Sequence, residues 1–183
     1  MFKDFNIVIG ITGGIAAYKA CGIVSFFKSQ GANIDVIMTK NASLFITPLT
    51  LETLSSNKVI TDMFERPDYI EVKHISLAKK ADLFLIVPAT ANIIGKVANG
   101  IADDMLTTTI MATKAPVIFA PAMNDAMYNN KIVQANLDKL KLYGYKIIEP
   151  SFGHLACGYE AKGKLPKNEE IIDYVKKLVK EKR

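Results

Sequence analysis

The sequence predicts an α/β fold, a doubly wound parallel sheet built as a three-layer sandwich. Short, β-rich apolar runs alternate with longer segments of helical period along the whole chain, which is typical of a parallel sheet covered by helices on both faces. Half of the 183 residues are apolar and 22% are charged, a composition that can bury a full core. The length favours one domain over residues 1–183.

The elements follow in order from the periodicity of the apolar residues. The predicted strands cover 6–11, 33–38, 83–87, 116–120 and 146–148. A helix over 15–30 should end at Gly31, since glycine suits the left-handed position after a helix, and this completes a first βαβ unit. Further helices are predicted over 43–55, 74–80, 93–98, 105–113, 131–143 and 169–180, with an irregular connection at about 65–73.

The net charge of +5 is concentrated at the end of the chain. The basic residues there are Lys176, Lys177, Lys180, Lys182 and Arg183. We interpret them as the solvated end of a helix, where positive charge complements the helix dipole, in preference to a surface for nucleic acid or anionic lipid. We therefore expect no nucleic-acid partner.

Cysteine content and hydropathy narrow the class of protein further. The two cysteines, Cys21 and Cys157, can build neither a disulfide framework nor a four-ligand zinc site, so no metal is expected. The first residues lack a signal-peptide core, and no apolar run approaches the roughly 20 residues of a membrane span. We expect a cytoplasmic protein without membrane contact.

Small and polar residues gather at the predicted strand ends, where ligands bind in doubly wound sheets. These ends read Thr12-Gly13-Gly14, Thr39, Pro88-Ala89-Thr90-Ala91-Asn92 and Pro121-Ala122-Met123-Asn124. Hydroxyls, amides and bare backbone N–H groups suit a phosphate and a polar ring. The binding site should lie along this edge.

The first turn combines Gly10, Gly13 and Gly14 where a strand becomes a helix, which suits an anion. The turn is neither a complete G-x-G-x-x-G fingerprint nor a phosphate-binding Walker loop. Thr39 stands at the end of the second strand, where a dinucleotide-binding protein usually carries an acidic residue. A mononucleotide such as FMN is favoured over NAD, and a simple tight turn is the alternative.

Several side chains could serve either in binding and catalysis or only in a turn, at the surface or in the core. We expect the prolines in 87–92 and 120–124 to stop their strands and the following asparagines to read a flavin edge or a carboxylate, although each stretch alone could be a turn. His74, at a helix start, is a neutral base or a surface histidine. Cys157 lies in a glycine-flanked basic loop that favours a reactive thiolate, whereas Cys21 fits a core position.

Together these residues resemble the flavin-dependent cysteine decarboxylase family, from residue 9 to about 170. The resemblance is carried by GITGGIAAYK at 10–19, Thr39, FITPLT at 45–50, His74, PATAN at 88–92, PAMNDAMY at 121–128 and ACG at 156–158. It implies a flavodoxin-like, Rossmann-like fold that assembles as trimers or tetramers of trimers, with FMN between subunits.

The resemblance also implies a cofactor site. The FMN phosphate would be held around Thr12, Gly13, Gly14 and Thr39. The flavin ring would be contacted by Phe45, Thr90, Ala91, Asn92, Thr107 and Thr108.

The implied reaction is the decarboxylation of 4′-phosphopantothenoylcysteine to 4′-phosphopantetheine in coenzyme A biosynthesis. FMN would oxidise the substrate to a thioaldehyde, CO₂ would leave, and the resulting ene-thiol would be reduced again. His74 would be the base and Cys157 the proton donor of the second half-reaction. The substrate carboxylate would be held by Asn124 and its pocket shaped by Ala122, Met123 and Met127. Residues 151–168 would form a clamp loop over the substrate.

This chain departs from the family pattern in places. The family clamp commonly reads ACGDxGxGRM, whereas residues 156–165 read ACGYEAKGKL. Lys164 replaces the arginine and keeps the charge without the bidentate fork, so any phosphate contact would be weaker. Tyr128 replaces a frequent tryptophan and should keep an aromatic wall. No fused synthetase domain is present in the 183 residues, so a free-standing enzyme is expected.

Three related functions are the alternatives. A peptidyl-cysteine decarboxylase of lantibiotic maturation stops at the oxidised ene-thiol and needs no clamp cysteine, so Cys157 favours the complete reaction. A flavin prenyltransferase is disfavoured by the PAMN stretch. A non-catalytic regulatory subunit of this family would carry an acidic tail, whereas this chain ends in lysines.

Overall fold

The computed structural model describes residues 1–64 and 72–181 and contains a five-stranded parallel sheet. Its strands are β1 (Asn6–Ile11), β2 (Asn33–Met38), β3 (Leu83–Ala89), β4 (Val117–Pro121) and β5 (Lys146–Ile147). The strand order β2-β1-β3-β4-β5 is that of flavodoxin-like sheets, in which ligands bind where the order reverses, between β1 and β3. The predicted doubly wound α/β sandwich is confirmed.

Helices cover both faces of the sheet. They are a 3₁₀ helix (Ile15–Lys19) that runs into α1 (Ala20–Ser29), a short 3₁₀ helix (Ala42–Leu44), α2 (Pro48–Ser55), α3 (Lys73–Lys80), α4 (Ala91–Ala98), α5 (Met105–Ala112), α6 (Asp125–Tyr128), α7 (Lys131–Leu142) and α8 (Asn168–Glu181). Helices α1, α2 and α8 pack on one face, and α3, α4, α5 and α7 pack on the other. Within the described ranges, no helix has the length and apolarity needed to cross a membrane.

Alternation along the strands divides the core into two layers. In β1, Ile7 and Ile9 pack into the layer with α1 and α8, whereas Val8 between them packs into the layer with α4 and α5. All three are fully buried, and each such side chain contributes about 1.5–3 kcal/mol of transfer free energy. Because both faces of the strand are covered, its sequence after Asn6 is the apolar run expected of a buried parallel strand.

The main differences from the predicted elements lie in two helices and at the end of β3. The helix predicted over 15–30 begins as a 3₁₀ turn, and the one predicted over 43–55 is interrupted before Pro48, which takes the first position of α2. The prediction that Pro88 stops its strand is wrong, because β3 continues to Ala89, which pairs with Pro121 at a shifted register. Residues 65–71 of the predicted irregular connection lie outside the described residues, as do Lys182 and Arg183.

The segment 151–168, predicted as a clamp loop, contains regular secondary structure. It contains an antiparallel hairpin, β6 (Ser151–His154) and β7 (Glu160–Lys164), and α8 begins at Asn168. The hairpin tip closes with hydrogen bonds from Leu155 N–H to the Tyr159 carbonyl and from Gly158 N–H to the Leu155 carbonyl. The strands escaped prediction because they are short and largely polar, so they carry no apolar run. Cys157 lies at the tip.

Candidate functional site

A cleft of about 1060 Å³ opens at the carboxyl ends of β1, β2, β3 and β4 and extends to the β6–β7 hairpin. Most of the predicted site residues line it. They are Thr12, Gly13, Gly14, Thr39, Thr90, Ala91, Asn92, Ala122, Met123, Asn124, Met127, Cys157 and Lys164. The fold therefore brings five separate stretches of the chain to one cavity.

The Thr12 hydroxyl joins the ends of two neighbouring strands. It donates a hydrogen bond to the Pro88 carbonyl (2.6 Å) and accepts one from the Thr90 N–H (3.1 Å). Thr12 is almost completely buried, so this hydroxyl is committed to the scaffold. The Thr90 hydroxyl in turn caps α4 by accepting a hydrogen bond from the Ile93 N–H. These two threonines shape the cleft floor.

The first turn and Thr39 fit a phosphate group. Among the described residues, the N–H groups of Gly13 and Gly14 have no acceptor, and the buried Thr39 hydroxyl has no hydrogen-bond partner. An unsatisfied buried hydroxyl costs about 1–3 kcal/mol, so a ligand that bonds to it would be stabilised. A Cβ on Gly13 would lie only 2.5 Å from the Cβ of Asn41, so the turn requires glycine there.

Four predicted site residues do not line the cleft of this chain. Thr107 is fully buried, and its hydroxyl and the Asp104 side chain form the capping box of α5. The Thr108 hydroxyl donates to the Ala102 carbonyl (3.3 Å). Phe45 is half-exposed beside α2, and His74 is half-buried in the first turn of α3. The Thr107 hydroxyl is therefore not free to bind a ligand, because it is hydrogen-bonded to Asp104, the N-cap residue of α5.

Asn124 is the centre of a hydrogen-bonded cluster between α6 and the hairpin tip. Its Oδ1 accepts a hydrogen bond from the Ala126 N–H (2.9 Å), which caps α6. Its Nδ2 donates to the Tyr159 hydroxyl (2.9 Å) and lies 3.6 Å from Cys157 Sγ. The Tyr159 hydroxyl donates to Asp125 Oδ1 (2.5 Å). Asn124 and Cys157 were among the predicted site residues, whereas Tyr159 and Asp125 were not, because their contacts form only in the folded hairpin.

A glycine brings the hairpin against the end of β4. The Met123 N–H donates to the Gly163 carbonyl (3.0 Å), and Gly163 has a φ of 151°. A Cβ at this position would collide with the Met123 carbonyl oxygen. Only glycine permits so close an approach of β7 to the segment that carries Asn124.

Lysines give the cleft a positive charge. Lys19, Lys40 and Lys164 line it, and no carboxylate pairs with them within the part of the chain that the structure describes, whereas a fourth lysine of the lining, Lys96, forms ion pairs. Burial lowers the pKa of Lys19, and the nearby charge of Lys164 lowers it further. Two cations that repel each other favour the binding of an anion between them. Lys19 was not predicted as a site residue, because nothing in the sequence distinguishes a lysine one turn into the first helix from a solvent-exposed one.

Glu149 ties the hairpin to the rest of the fold. It accepts hydrogen bonds from the Tyr128 hydroxyl (2.5 Å), Lys141 (3.2 Å) and Lys162 of β7 (3.2 Å). The Lys162 ammonium also lies 5.3 Å from the centre of the Tyr128 ring. Tyr128 is buried in this network, so the predicted aromatic wall of the cleft is wrong. The Tyr128 hydroxyl, followed by the two lysines, lowers the pKa of Glu149.

We predict that the Glu149 network makes stability depend on acid pH. Because the pKa of Glu149 in the folded state lies below its ordinary value of 4.5, the stabilisation is present above pH 4.5 and is lost as the pH falls through the lowered pKa. We expect Glu149→Gln to reduce the free energy of unfolding by about 1 kcal/mol at pH 7, and by less at acid pH. Urea unfolding at pH 7 and at pH 3 measures this difference in the free energy of unfolding.

Glu160→Gln is the matched control for this measurement. Glu160 lies exposed on β7 and has no ion pair among the described contacts. We expect its stability to follow the wild type at both pH values. A Glu149→Gln protein whose deficit stayed constant down to pH 3 would contradict the assignment to this carboxylate.

Comparison with known proteins identifies relatives along the whole chain. A bifunctional coenzyme A biosynthesis protein, CoaBC, of Borreliella burgdorferi is 53% identical over 96% of this chain and 45% of its own length. A probable phosphopantothenoylcysteine decarboxylase of Streptococcus mutans is 42% identical over 93% of this chain and 96% of its own. The chain thus spans less than half the length of the bifunctional relatives.

Structural similarity and a family model agree with these relatives. The crystal structure of SpaF, described as an FMN-dependent cysteine decarboxylase, matches with a TM-score of 0.83 and 30% identity over 95% of this chain and 96% of that one. Within the described residues, no group of three or more His, Cys, Asp or Glu side chains could hold a metal ion. The family model named Flavoprotein matches residues 1–180, and the chain belongs to this family.

Proposed function

We propose that this chain is an FMN-dependent decarboxylase that converts 4′-phosphopantothenoylcysteine to 4′-phosphopantetheine in coenzyme A biosynthesis. The proposal is carried by the Asn124 amide, which lies 3.6 Å from the Cys157 thiol in a cleft that also presents unpartnered phosphate-binding groups. A carboxylate-binding amide beside a proton donor suits a reaction that removes a carboxylate and then protonates the same carbon. The Streptococcus mutans relative, of almost the same length, supports this substrate.

The cofactor site is proposed from the groups without partners. The Gly13 and Gly14 N–H groups and the Thr39 hydroxyl would hold the FMN phosphate, and Ala91 and Asn92 at the start of α4 would face the flavin ring. Bound FMN would accept a hydride from the thiol-bearing carbon, so that the thioaldehyde formed there serves as the electron sink, and would return the hydride after CO₂ leaves. No redox partner is then needed.

The substrate site is proposed at the hairpin end of the cleft. Asn124 Nδ2 would donate to the substrate carboxylate, and Ala122, Met123 and Met127 would shape the pocket around it. Lys164, together with Lys19, would attract the substrate phosphate. Cys157 would give its proton to the carbon that has lost CO₂. We propose that the β6–β7 hairpin is the clamp of a single domain that spans residues 1–183.

A neighbouring subunit is proposed to complete the site. His74 and Phe45 do not line the cleft of their own chain. Ile15 and Tyr18, which line the cleft, and Leu44 and Leu49 elsewhere expose between 58% and 82% of their surface, which suits an interface between copies. We therefore propose a homo-oligomer, a trimer or a tetramer of trimers, in which His74 reaches the cleft of another chain. As part of coenzyme A biosynthesis, the enzyme is expected in the cytoplasm.

A direct assay tests the proposed function. The purified protein, reconstituted with FMN, is incubated with 4′-phosphopantothenoylcysteine, and CO₂ and 4′-phosphopantetheine are measured by mass spectrometry. We expect both products in equal amounts. A peptide ending in cysteine serves as the competing substrate, and its preferred oxidation to a stable ene-thiol would indicate a peptidyl-cysteine decarboxylase. Failure to bind FMN at all would overturn the proposal.

We predict that His74→Asn retains FMN and loses activity. A base that orients or deprotonates the reacting substrate contributes roughly 100-fold or more to the rate, and asparagine cannot take up the proton. The measurements are the flavin absorbance of the purified variant and its rate of CO₂ release. Wild-type rates in the flavin-loaded variant would refute a role for His74 in the oxidation step.

Mixed oligomers test whether His74 acts across subunits. If one site combines His74 of one chain with Cys157 of another, co-refolded His74→Asn and Cys157→Ser chains will regain some sites with both native residues. We expect partial recovery of 4′-phosphopantetheine formation in the mixture and none in either variant alone. The absence of any recovery in verified mixed oligomers would argue against the shared site.

A further inference from the structure

Tyr159 links the hairpin tip to the N-terminus of α6, where Asn124 is the N-cap residue. It is the first residue after the tip sequence Ala156-Cys157-Gly158, and its hydroxyl lies between two groups of the α6 N-terminus. It accepts a hydrogen bond from Asn124 Nδ2 (2.9 Å) and donates one to Asp125 Oδ1 (2.5 Å). The tip is therefore held against α6 by a side chain as well as by the Met123–Gly163 backbone hydrogen bond.

These contacts also fix the orientation of Asn124. With Oδ1 bonded to the Ala126 N–H, Nδ2 must point toward the hairpin, and Tyr159 takes one of its two protons. The other proton is available for Cys157 Sγ at 3.6 Å or for a bound anion. Rotation of the amide would break both the cap and the Tyr159 hydrogen bond, so the cluster has one consistent arrangement.

We propose that Tyr159 is a positioning residue for the protonation step, a latch to Asp125 that keeps Cys157 and the Asn124 amide facing the same point of the cleft. The inference rests on the proposed function. Without the Tyr159 hydroxyl, the tip would open more often, and the thiol would spend less time within reach of the carbon that it protonates. The earlier steps use the Asn124 amide but not the thiol, and they would continue because the hydrogen bond from the Ala126 N–H still holds this amide in place.

The protonation step balances as follows. After oxidation and loss of CO₂, the substrate would be an ene-thiolate. The S–H bond of Cys157 would break, and its proton would form a C–H bond at the carbon that lost CO₂. FMN, held by Gly13, Gly14 and Thr39, would supply the hydride removed in the oxidation to the sulfur-bearing carbon, and solvent protons would restore the substrate thiol and the Cys157 thiol.

The protonation state of the Tyr159 hydroxyl agrees with its hydrogen bond to Asp125, in which it is the donor. The hydrogen bond to Asp125, followed by the interaction with Cys157, raises the pKa of Tyr159 to about 12, and the hydrogen bond from Asn124 opposes this rise. The hydroxyl therefore keeps its proton through neutral pH, and the latch to Asp125 persists there. Tyr159 would position the reacting groups without exchanging a proton itself.

The first test measures which product Tyr159→Phe releases. The variant keeps the ring and removes only the hydroxyl. We expect CO₂ release close to the wild-type rate, with the ratio of oxidised ene-thiol to 4′-phosphopantetheine raised about ten-fold, since a hydrogen bond to a charged group is lost. Asp125→Ala, which removes the acceptor, should shift the ratio in the same direction. Tyr143→Phe alters an exposed tyrosine outside the cleft and should leave the ratio unchanged.

The second test needs neither cofactor nor substrate. Amide hydrogen exchange of a peptide covering 151–165 reports the opening of the hairpin, and a peptide covering β1 reports global unfolding. We expect Tyr159→Phe to accelerate exchange in the hairpin about ten-fold and to leave β1 unchanged. An unchanged product ratio, or unchanged hairpin exchange, would overturn the inference. If the wild type released no CO₂, the proposed function would fail. The hydrogen-exchange result would still show whether the Tyr159 hydroxyl holds the hairpin tip closed.

Discussion

Cys157→Ser is expected to release CO₂ but to accumulate the oxidised ene-thiol in place of 4′-phosphopantetheine. Serine keeps the size of the side chain, but its hydroxyl is a much weaker acid than a thiol, so the carbon that lost CO₂ is not protonated. We expect 4′-phosphopantetheine formation to fall roughly 100-fold or more, the contribution of a well-placed general acid. The oxidation and the loss of CO₂ do not use this proton and should persist.

Anaerobic single-turnover measurements give the sharpest form of this prediction. Without oxygen, the variant should release one CO₂ per bound FMN and then stop, because the hydride cannot be returned and the flavin stays reduced. The chain contains no tryptophan, and loss of the visible flavin absorbance records this state directly. Cys21→Ser is the control, since Cys21 lies half-buried in α1 and burial raises the pKa of its thiol. Full turnover by Cys157→Ser would remove Cys157 from the mechanism.

Asn124→Asp is expected to keep FMN and to lose turnover on the substrate. A carboxylate at this position would repel the substrate carboxylate and could no longer donate to Tyr159 or approach Cys157 as a donor. Its oxygen can still accept the Ala126 N–H hydrogen bond, so α6 should keep its cap and the variant should fold. We expect kcat/KM to fall about 100-fold or more.

Asn130→Asp is the matched control for Asn124→Asp. Asn130 caps α7 with the same geometry, its Oδ1 accepting the Ile132 N–H at 2.9 Å, but it does not line the cleft. The same chemical change there should leave both FMN content and turnover unaltered. If Asn124→Asp retained wild-type kcat/KM, the amide would not be the carboxylate contact.

The strand ends show how far local sequence predicts the site. Glycines, threonines and asparagines followed apolar runs at 12–14, 39, 90–92 and 122–124, and all of these stretches line one cleft. Prediction succeeded here because a parallel sheet aligns the carboxyl ends of its strands at one edge, so strand positions alone determine which residues meet. It failed for Pro88, because a strand can pass through proline where the ladder is irregular.

The hydrogen-bond partners of individual side chains could not be predicted from the sequence. Thr107 matched the site by residue type, yet its hydroxyl belongs to the α5 capping box. Tyr159 gave no signal, because its partners lie 34 and 35 positions away along the chain and meet it only when the hairpin folds onto α6. His74 gave a signal, but only the folded chain shows that it lies away from its own cleft.

The sequence by itself determined the doubly wound sheet, the edge that bears the cleft and most of the residues on its walls, because apolar periodicity and strand-end composition are local properties of the chain. Only the tertiary structure decided which hydroxyls are free to bind a ligand, that residues 151–164 form a hairpin, and that Tyr159 and Asp125 hold its tip against Asn124. These features depend on distances between segments far apart in the chain, which packing sets and local patterns do not encode.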